Sequence, residues 1–161
     1  MNKDVIISVK GKQYYQDIDY SMDSIELVTE GKYYKKGNHY YVTYKETEMT
    51  GMEGTTTTLK IEDGKVTLMR FGPKSSQLIF EEGEKHLCHY DTLHGAFTVG
   101  VFSNKVNINM NDFGGEMTID YFIELNQIET GKNDLYMCIR EANLTNDKFN
   151  GNSKEANYSI N

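Results

Sequence analysis

Apolar and polar residues alternate with a period of two along most of the chain. The alternation recurs in short runs from Val5 to Ile139, and a turn containing Gly or Asn separates one run from the next. This period is typical of β-strands that bury one face and expose the other. Roughly ten or eleven such runs follow one another without a helix-length segment between them. The pattern predicts an all-β fold, a single antiparallel up-and-down β-barrel.

The turns between the runs are those of β-hairpins. Asp63-Gly64 is the strongest signal, because both residues tolerate the positive φ that a type I′ turn requires. Further reversals are expected at residues 35–38, 82–84, 114–115 and 133–134.

The period-two pattern also sets the predicted domain boundary. Residues 1–141 are expected to form one barrel domain, since all-β barrels of this length fold as single units. Residues 142–161 contain six Asn and no alternation. They are predicted to be a polar, disordered C-terminal tail.

The net charge indicates which partners are not expected, and the cysteines indicate the cellular compartment. The formal net charge is −7, and only Arg70 and Arg140 are arginines among the 17 basic residues. Nucleic-acid binding needs a basic face, and an acidic surface disfavours anionic membranes, so neither partner is expected. The chain runs from Met1 directly into its first strand pattern, and Cys88 and Cys138 fall in different strand patterns. A cytoplasmic protein with reduced thiols is therefore expected.

The segment His86–His94 is the best candidate for metal chemistry, because it contains three His, one Cys and one Asp. A metal site needs three or four such ligands converging on one point. In a strand, however, His86 and Cys88 face one side, whereas His89 and Asp91 face the other. No metal or other cofactor is expected.

Catalysis is not indicated either. Ser75, Ser76 and Ser103 lack the Gly-x-Ser-x-Gly elbow that presents a nucleophile, and adjacent strand residues such as Cys88 and His89 cannot form a dyad. We expect the protein not to be an enzyme.

The candidate ligand-binding residues are Arg70, Glu46, Tyr44, Tyr90 and Tyr121. Glu46 and Arg70 each continue an apolar strand face. If that face is the barrel interior, the two charges need each other or a ligand, because an unpaired buried charge is costly. In the alternative, the strands bend toward solvent and the charges lie on the rim. Tyrosine rings could contact a ligand, although paired tyrosines more often stabilise neighbouring strands.

Several segments in order resemble one known family. They are Ile25–Tyr34, Tyr41–Gly54 with the Thr-rich run after it, Val66–Gly72, Tyr90–Gly95 and Gly114–Gly115. Together they resemble the bacterial YwiB-like family, a domain of unknown function among the lipocalin-like (calycin) β-barrels. The resemblance implies an up-and-down barrel and no assigned activity. The Gly-x-Trp signature of secreted lipocalins and the Arg-x-Tyr pair of fatty-acid-binding proteins are both missing.

Three functions remain open at this point, the last of them an enzyme that uses a carboxylate or the His-rich segment. The first is a cytoplasmic barrel that binds a small, partly apolar ligand in its interior without catalysis. The alternative is a barrel filled by its own side chains that acts as a protein-interaction module or as a homodimer.

Overall fold

The computed structural model describes residues 1–14, 22–92 and 95–142, and the side chains of residues 22, 23 and 92 are not among them. Within these ranges there are ten β-strands and one 3-10 turn, Glu48–Thr50, which lies between β3 and β4. The strands are β1 (Asn2–Tyr14), β2 (Met22–Lys36), β3 (His39–Lys45), β4 (Thr56–Glu62), β5 (Lys65–Phe71), β6 (Ser76–Glu81), β7 (Lys85–Thr92), β8 (Gly95–Asn111), β9 (Gly114–Leu125) and β10 (Ile128–Glu141).

The strands close into a barrel. Each strand lies antiparallel beside the strand before it in the chain, and β1 pairs with β10 to complete the ring. The β1–β10 ladder runs from the Val5–Glu141 pair to the Tyr14–Lys132 pair. The predicted all-β, up-and-down barrel is therefore confirmed.

The wall is irregular between β6 and β8. Strands β6 and β7 pair only at Ser76–Tyr90 and Gln77–His89. Beyond these pairs the N–H of Ile79 donates to the Sγ of Cys88 at 3.4 Å, so a side chain replaces the missing backbone acceptor.

The predicted reversal at 133–134 is wrong. Asn133 and Asp134 lie inside β10, and the chain instead reverses at Asn126 and Gln127, whose φ angles are 54° and 65°. The alternation continues through Asn133, and this outweighs the turn preference of the Asn-Asp pair. The predicted turn at Asp63-Gly64 is confirmed, with a φ of 78° at Gly64.

One end of the barrel is filled by its own side chains. The hydroxyl of Tyr33, a fully buried residue, donates to the carbonyl of Asn111 at 2.6 Å, and its ring stacks on Tyr40 with centroids 5.2 Å apart. Around these two rings lie the buried apolar side chains Val5, Ile7, Val42, Leu59, Ile61, Val66, Met117 and Ile139. This end, where β8 turns into β9, is the apolar core.

Beyond β10 the chain is described only as far as Ala142, whose N–H donates to the carbonyl of Asp4 at 2.9 Å. The predicted disordered tail therefore lies outside the described residues, apart from Ala142. Among the residues that the structure describes, no helix has the length and apolar character to cross a membrane.

Candidate functional site

A row of residues in register crosses seven neighbouring strands, β2 to β8, at the opposite end of the barrel. In register order the row consists of Gly31, Tyr44, Thr57, Arg70, Ser76, Tyr90 and Phe97. Three of the predicted site residues, Tyr44, Arg70 and Tyr90, are therefore members of one row. Tyr44, Thr57 and Arg70 are direct neighbours on β3, β4 and β5.

A second row completes this end. Tyr121 on β9 stands between Ser103 on β8 and Asn133 on β10. All three are polar residues at positions where the alternation directs side chains into the barrel. Ser103 and Asn133 are buried.

Tyr44, Arg70 and Tyr90 of the first row and Tyr121 and Asn133 of the second line a cavity of about 440 Å³. All five predicted site residues line it. The apolar part of its wall includes Val9, Leu27, Leu68, Leu78, Phe80 and Met137. The structure thus brings the predicted residues together around one space, with apolar side chains between that space and the filled core.

Glu46 is inside the barrel, since its exposed fraction is 6%. Its N–H donates to the carbonyl of Thr55 at 2.8 Å, which continues the inward face of β3 past the last residue of that strand. Its carboxylate accepts hydrogen bonds from the hydroxyls of Thr50, at 3.1 Å, and Thr57. Glu48, on the 3-10 turn, is exposed. Of the two alternatives stated for Glu46, the interior position therefore holds, and the chain reaches the rim at Glu48.

Arg70 does not form the expected ion pair with Glu46. Among the described residues, no carboxylate oxygen lies within 4.0 Å of its guanidinium. Arg70 is half-buried against the cavity, and its Nε is buried without a hydrogen-bond partner. The two Thr hydroxyls, and not Arg70, donate hydrogen bonds to Glu46.

The tyrosines of the site are held in their neutral form. Burial raises the pKa of Tyr44 strongly, the charge of Glu46 raises it further, and the charge of Arg70 opposes both. Burial also raises the pKa of Tyr121 to about 12, again opposed by Arg70. The Tyr121 ring packs edge-on against Phe80 with centroids 4.7 Å apart. Both phenols can therefore donate a hydrogen bond at neutral pH, and neither can neutralise Arg70.

Sequence reasoning missed Thr57, Ser103 and Asn133. The signal was available, because each is a polar residue at an inward position of an otherwise apolar alternation. Asn133 Nδ2 and Ser103 Oγ are buried without hydrogen-bond partners.

A larger groove, of about 980 Å³, lies on the outside of the barrel where β2 runs past the end of β3. Its wall includes Ile6, Val28 and Thr43. Tyr44 and Glu46 line both this groove and the interior cavity, so the two spaces adjoin at these residues.

The His-rich segment forms separate pairs. His86 Nε2 lies 2.9 Å from Glu81, His89 Nε2 lies 2.8 Å from Asp91, and Cys88 is buried in the β6–β7 seam. No group of three His, Cys, Asp or Glu side chains suited to a metal occurs within the described ranges. His94 lies outside those ranges.

Comparison with known proteins shows which family the chain matches and which solved structure shares its barrel. The model of a family described as a domain of unknown function, DUF1934, matches residues 7–137. The uncharacterized β-barrel protein YwiB of Bacillus subtilis is 26% identical over 121 residues, which are 75% of this chain and 83% of that protein. The crystal structure of the Bacillus subtilis ywiB protein aligns with a TM-score of 0.75 at 20% identity, covering 88% of this chain and 93% of the other. This last likeness shows the shared barrel fold.

Proposed function

Because the chain belongs to the DUF1934 family, whose description names no activity, we propose a function from the barrel itself: the protein binds a small, partly apolar ligand in the interior cavity and is not an enzyme.

The cavity is the observation that carries this proposal. Its volume of about 440 Å³ falls within the range of about 300–1,000 Å³ that ligand pockets occupy. Such pockets combine an apolar wall with a few polar groups that orient the ligand. Here Leu68, Leu78 and Phe80 supply the apolar wall, and Arg70 with the tyrosines supplies the polar groups.

The chemistry of the lining favours binding over catalysis. A general base works best when its pKa lies near the operating pH. The pKa values of Tyr44 and Tyr121 are shifted away from neutrality, and the Glu46 carboxylate is occupied by Thr50 and Thr57. We therefore propose a cytoplasmic carrier or sensor that needs neither metal nor cofactor.

Native mass spectrometry of the full chain, purified from a bacterial host, tests the proposal. We expect a species heavier than the 18.5 kDa chain by the mass of one small molecule, which denaturation releases. Leu78→Trp should fill the cavity and abolish this species, because Leu78 lines it. Leu87→Trp is the matched control, since Leu87 is 73% exposed on the outer face of β7 and the extra mass should persist there.

Two results would contradict the proposal. One is a Leu78→Trp protein that is folded and keeps the same bound mass. The other is a ligand-free chain that forms a dimer through its outer surface, which is the result expected of an interaction module.

A further inference from the structure

Resting on the proposed ligand-binding function, we infer that the ligand carries a carboxylate, which Arg70 and Asn133 bind at the polar end of the cavity while the apolar wall receives an aliphatic chain.

The cavity wall contains polar atoms that have no hydrogen-bond partner among the described residues. Two polar atoms in the wall are buried without partners on the inward face, Arg70 Nε and Asn133 Nδ2, and both are donors. Buried donors in native proteins are almost always satisfied. An occupant that offers acceptor oxygens would satisfy both.

The acceptors of the cavity point to the same chemistry. The two oxygens of Glu46 already accept hydrogen bonds from Thr50 and Thr57. Asp134 Oδ1 also lacks a partner, but Asp134 lies on the opposite face of β10 from Asn133, beside Asp120 and opposite Lys12. The buried atoms that remain without a partner on the inward side of the wall are therefore donors.

The positive charge of Arg70 favours an anionic acceptor group on the ligand over a neutral one. Arg70 has no carboxylate within 4.0 Å among the described residues, and its neighbours Tyr44 and Tyr121 remain protonated. Lys12 and Asp134, at the rim, stand opposite each other in the β1–β10 ladder and carry opposite charges. A planar guanidinium holds a carboxylate through two parallel hydrogen bonds, which an ammonium group cannot reproduce.

Isothermal titration calorimetry with octanoate, 1-octanol and octylammonium tests the inference, because the three probes share one chain and differ in the charge of the head group. After removal of any co-purified ligand, octanoate should bind at least about tenfold more tightly than 1-octanol, which corresponds to one bidentate charged contact. Arg70→Ala should remove that difference by lowering the affinity for octanoate to about the affinity for 1-octanol. Arg70→Lys should restore little of it. Arg140→Ala, at an exposed position on β10, should behave as the wild type.

A second variant keeps the test independent of Arg70. Asn133→Asp replaces the unpartnered donor by a carboxylate of the same shape, so it should weaken octanoate binding by a larger factor than 1-octanol binding.

The outcomes separate the ligand class from the proposed function. Equal binding of octanoate and 1-octanol, or an octanoate affinity unaffected by Arg70→Ala, overturns the carboxylate assignment and leaves the binding function standing. Preference for octylammonium overturns it in favour of Glu46 as the anchor. If none of the probes binds while native mass spectrometry finds a bound molecule without a carboxylate, the carboxylate class alone fails. If none binds and no bound molecule is found, both proposals fail.

Discussion

Thr57 donates a hydrogen bond to Glu46 inside the barrel, from β4 to the residue that follows the end of β3. The contact joins a fully buried hydroxyl to a carboxylate that is 6% exposed. It explains why Glu46 tolerates burial without a cationic partner, since hydrogen bonds to a carboxylate offset its loss of hydration. It also leaves the guanidinium of Arg70 available to a ligand in the cavity.

Removing the Glu46 carboxylate should destabilise the barrel. Glu46→Ala leaves the hydroxyl of Thr57 buried without its acceptor, which costs about 1–3 kcal/mol of unfolding free energy. Urea unfolding monitored by circular dichroism measures the loss. Glu48→Ala, at an exposed position of the 3-10 turn, is the control and should change the unfolding free energy by less than about 0.5 kcal/mol. Equal effects of the two substitutions would show that the Thr57 contact contributes nothing.

Removing the Arg70 charge should have little effect on stability. Since no described carboxylate pairs with Arg70, Arg70→Met strands no partner and should change the unfolding free energy by less than about 1 kcal/mol. A buried pair would instead lose about 3–5 kcal/mol when one partner is removed. Denaturant unfolding of ligand-free protein distinguishes the two values, and a loss in the higher range would reveal a charged partner outside the described residues.

Gly31 should not tolerate a methyl group. A Cβ at this position would come closer than 3.0 Å to the carbonyl of Thr43 and to the side chain of Ile7, which lie on two different strands. Gly31→Ala should therefore cost more than about 2 kcal/mol, at the upper end of overpacking effects. Gly11→Ala is the matched control on the neighbouring strand, because its Cβ would lie an ordinary 3.4 Å from Ile25. Comparable losses in thermal unfolding experiments would contradict the close approach of β2 and β3.

The paired carboxylates Asp120 and Asp134 should make stability depend on pH. The hydrogen bond to Asp134 is the largest cause that raises the pKa of Asp120, followed by partial burial and by the charge of Asp134. The folded state therefore binds this proton more tightly than the unfolded state does. The resulting stabilisation is fully present below the usual Asp pKa and is lost as the pH rises through the raised value.

Asp120→Asn should thus be more stable than the wild type at pH 7, by less than about 1 kcal/mol because both carboxyl groups are only partly buried and interact weakly near the surface. The gain should shrink as the pH falls toward that of a free Asp side chain. Thermal unfolding across this pH range measures it, with Asp63→Asn at an exposed turn as the control for the removal of one charge. If the stability gain of Asp120→Asn does not change with pH, Asp120 and Asp134 do not share a proton in the folded state.

The sequence by itself determined the barrel and the identity of its inward residues. Alternation with a period of two fixes which side chains share a face, so the faces of Tyr44, Arg70 and Tyr121 followed from their positions in the runs. The hairpin turns fixed the order of the strands, because short antiparallel connections place consecutive strands side by side. Where the two signals conflicted, at Asn133 and Asp134, the alternation prevailed.

Only the tertiary structure decided which inward residues meet and which groups stay unpaired. The row from Gly31 to Phe97 depends on the register of six successive strand pairs, and an error of one residue in any of them would turn a side chain to the other face. The choice of Thr57 over Arg70 as the partner of Glu46 depends on side-chain distances that the alternation does not encode. The cavity likewise depends on how the summed side-chain volumes fill the space enclosed by ten tilted strands, which is a property of the closed barrel and of no single strand.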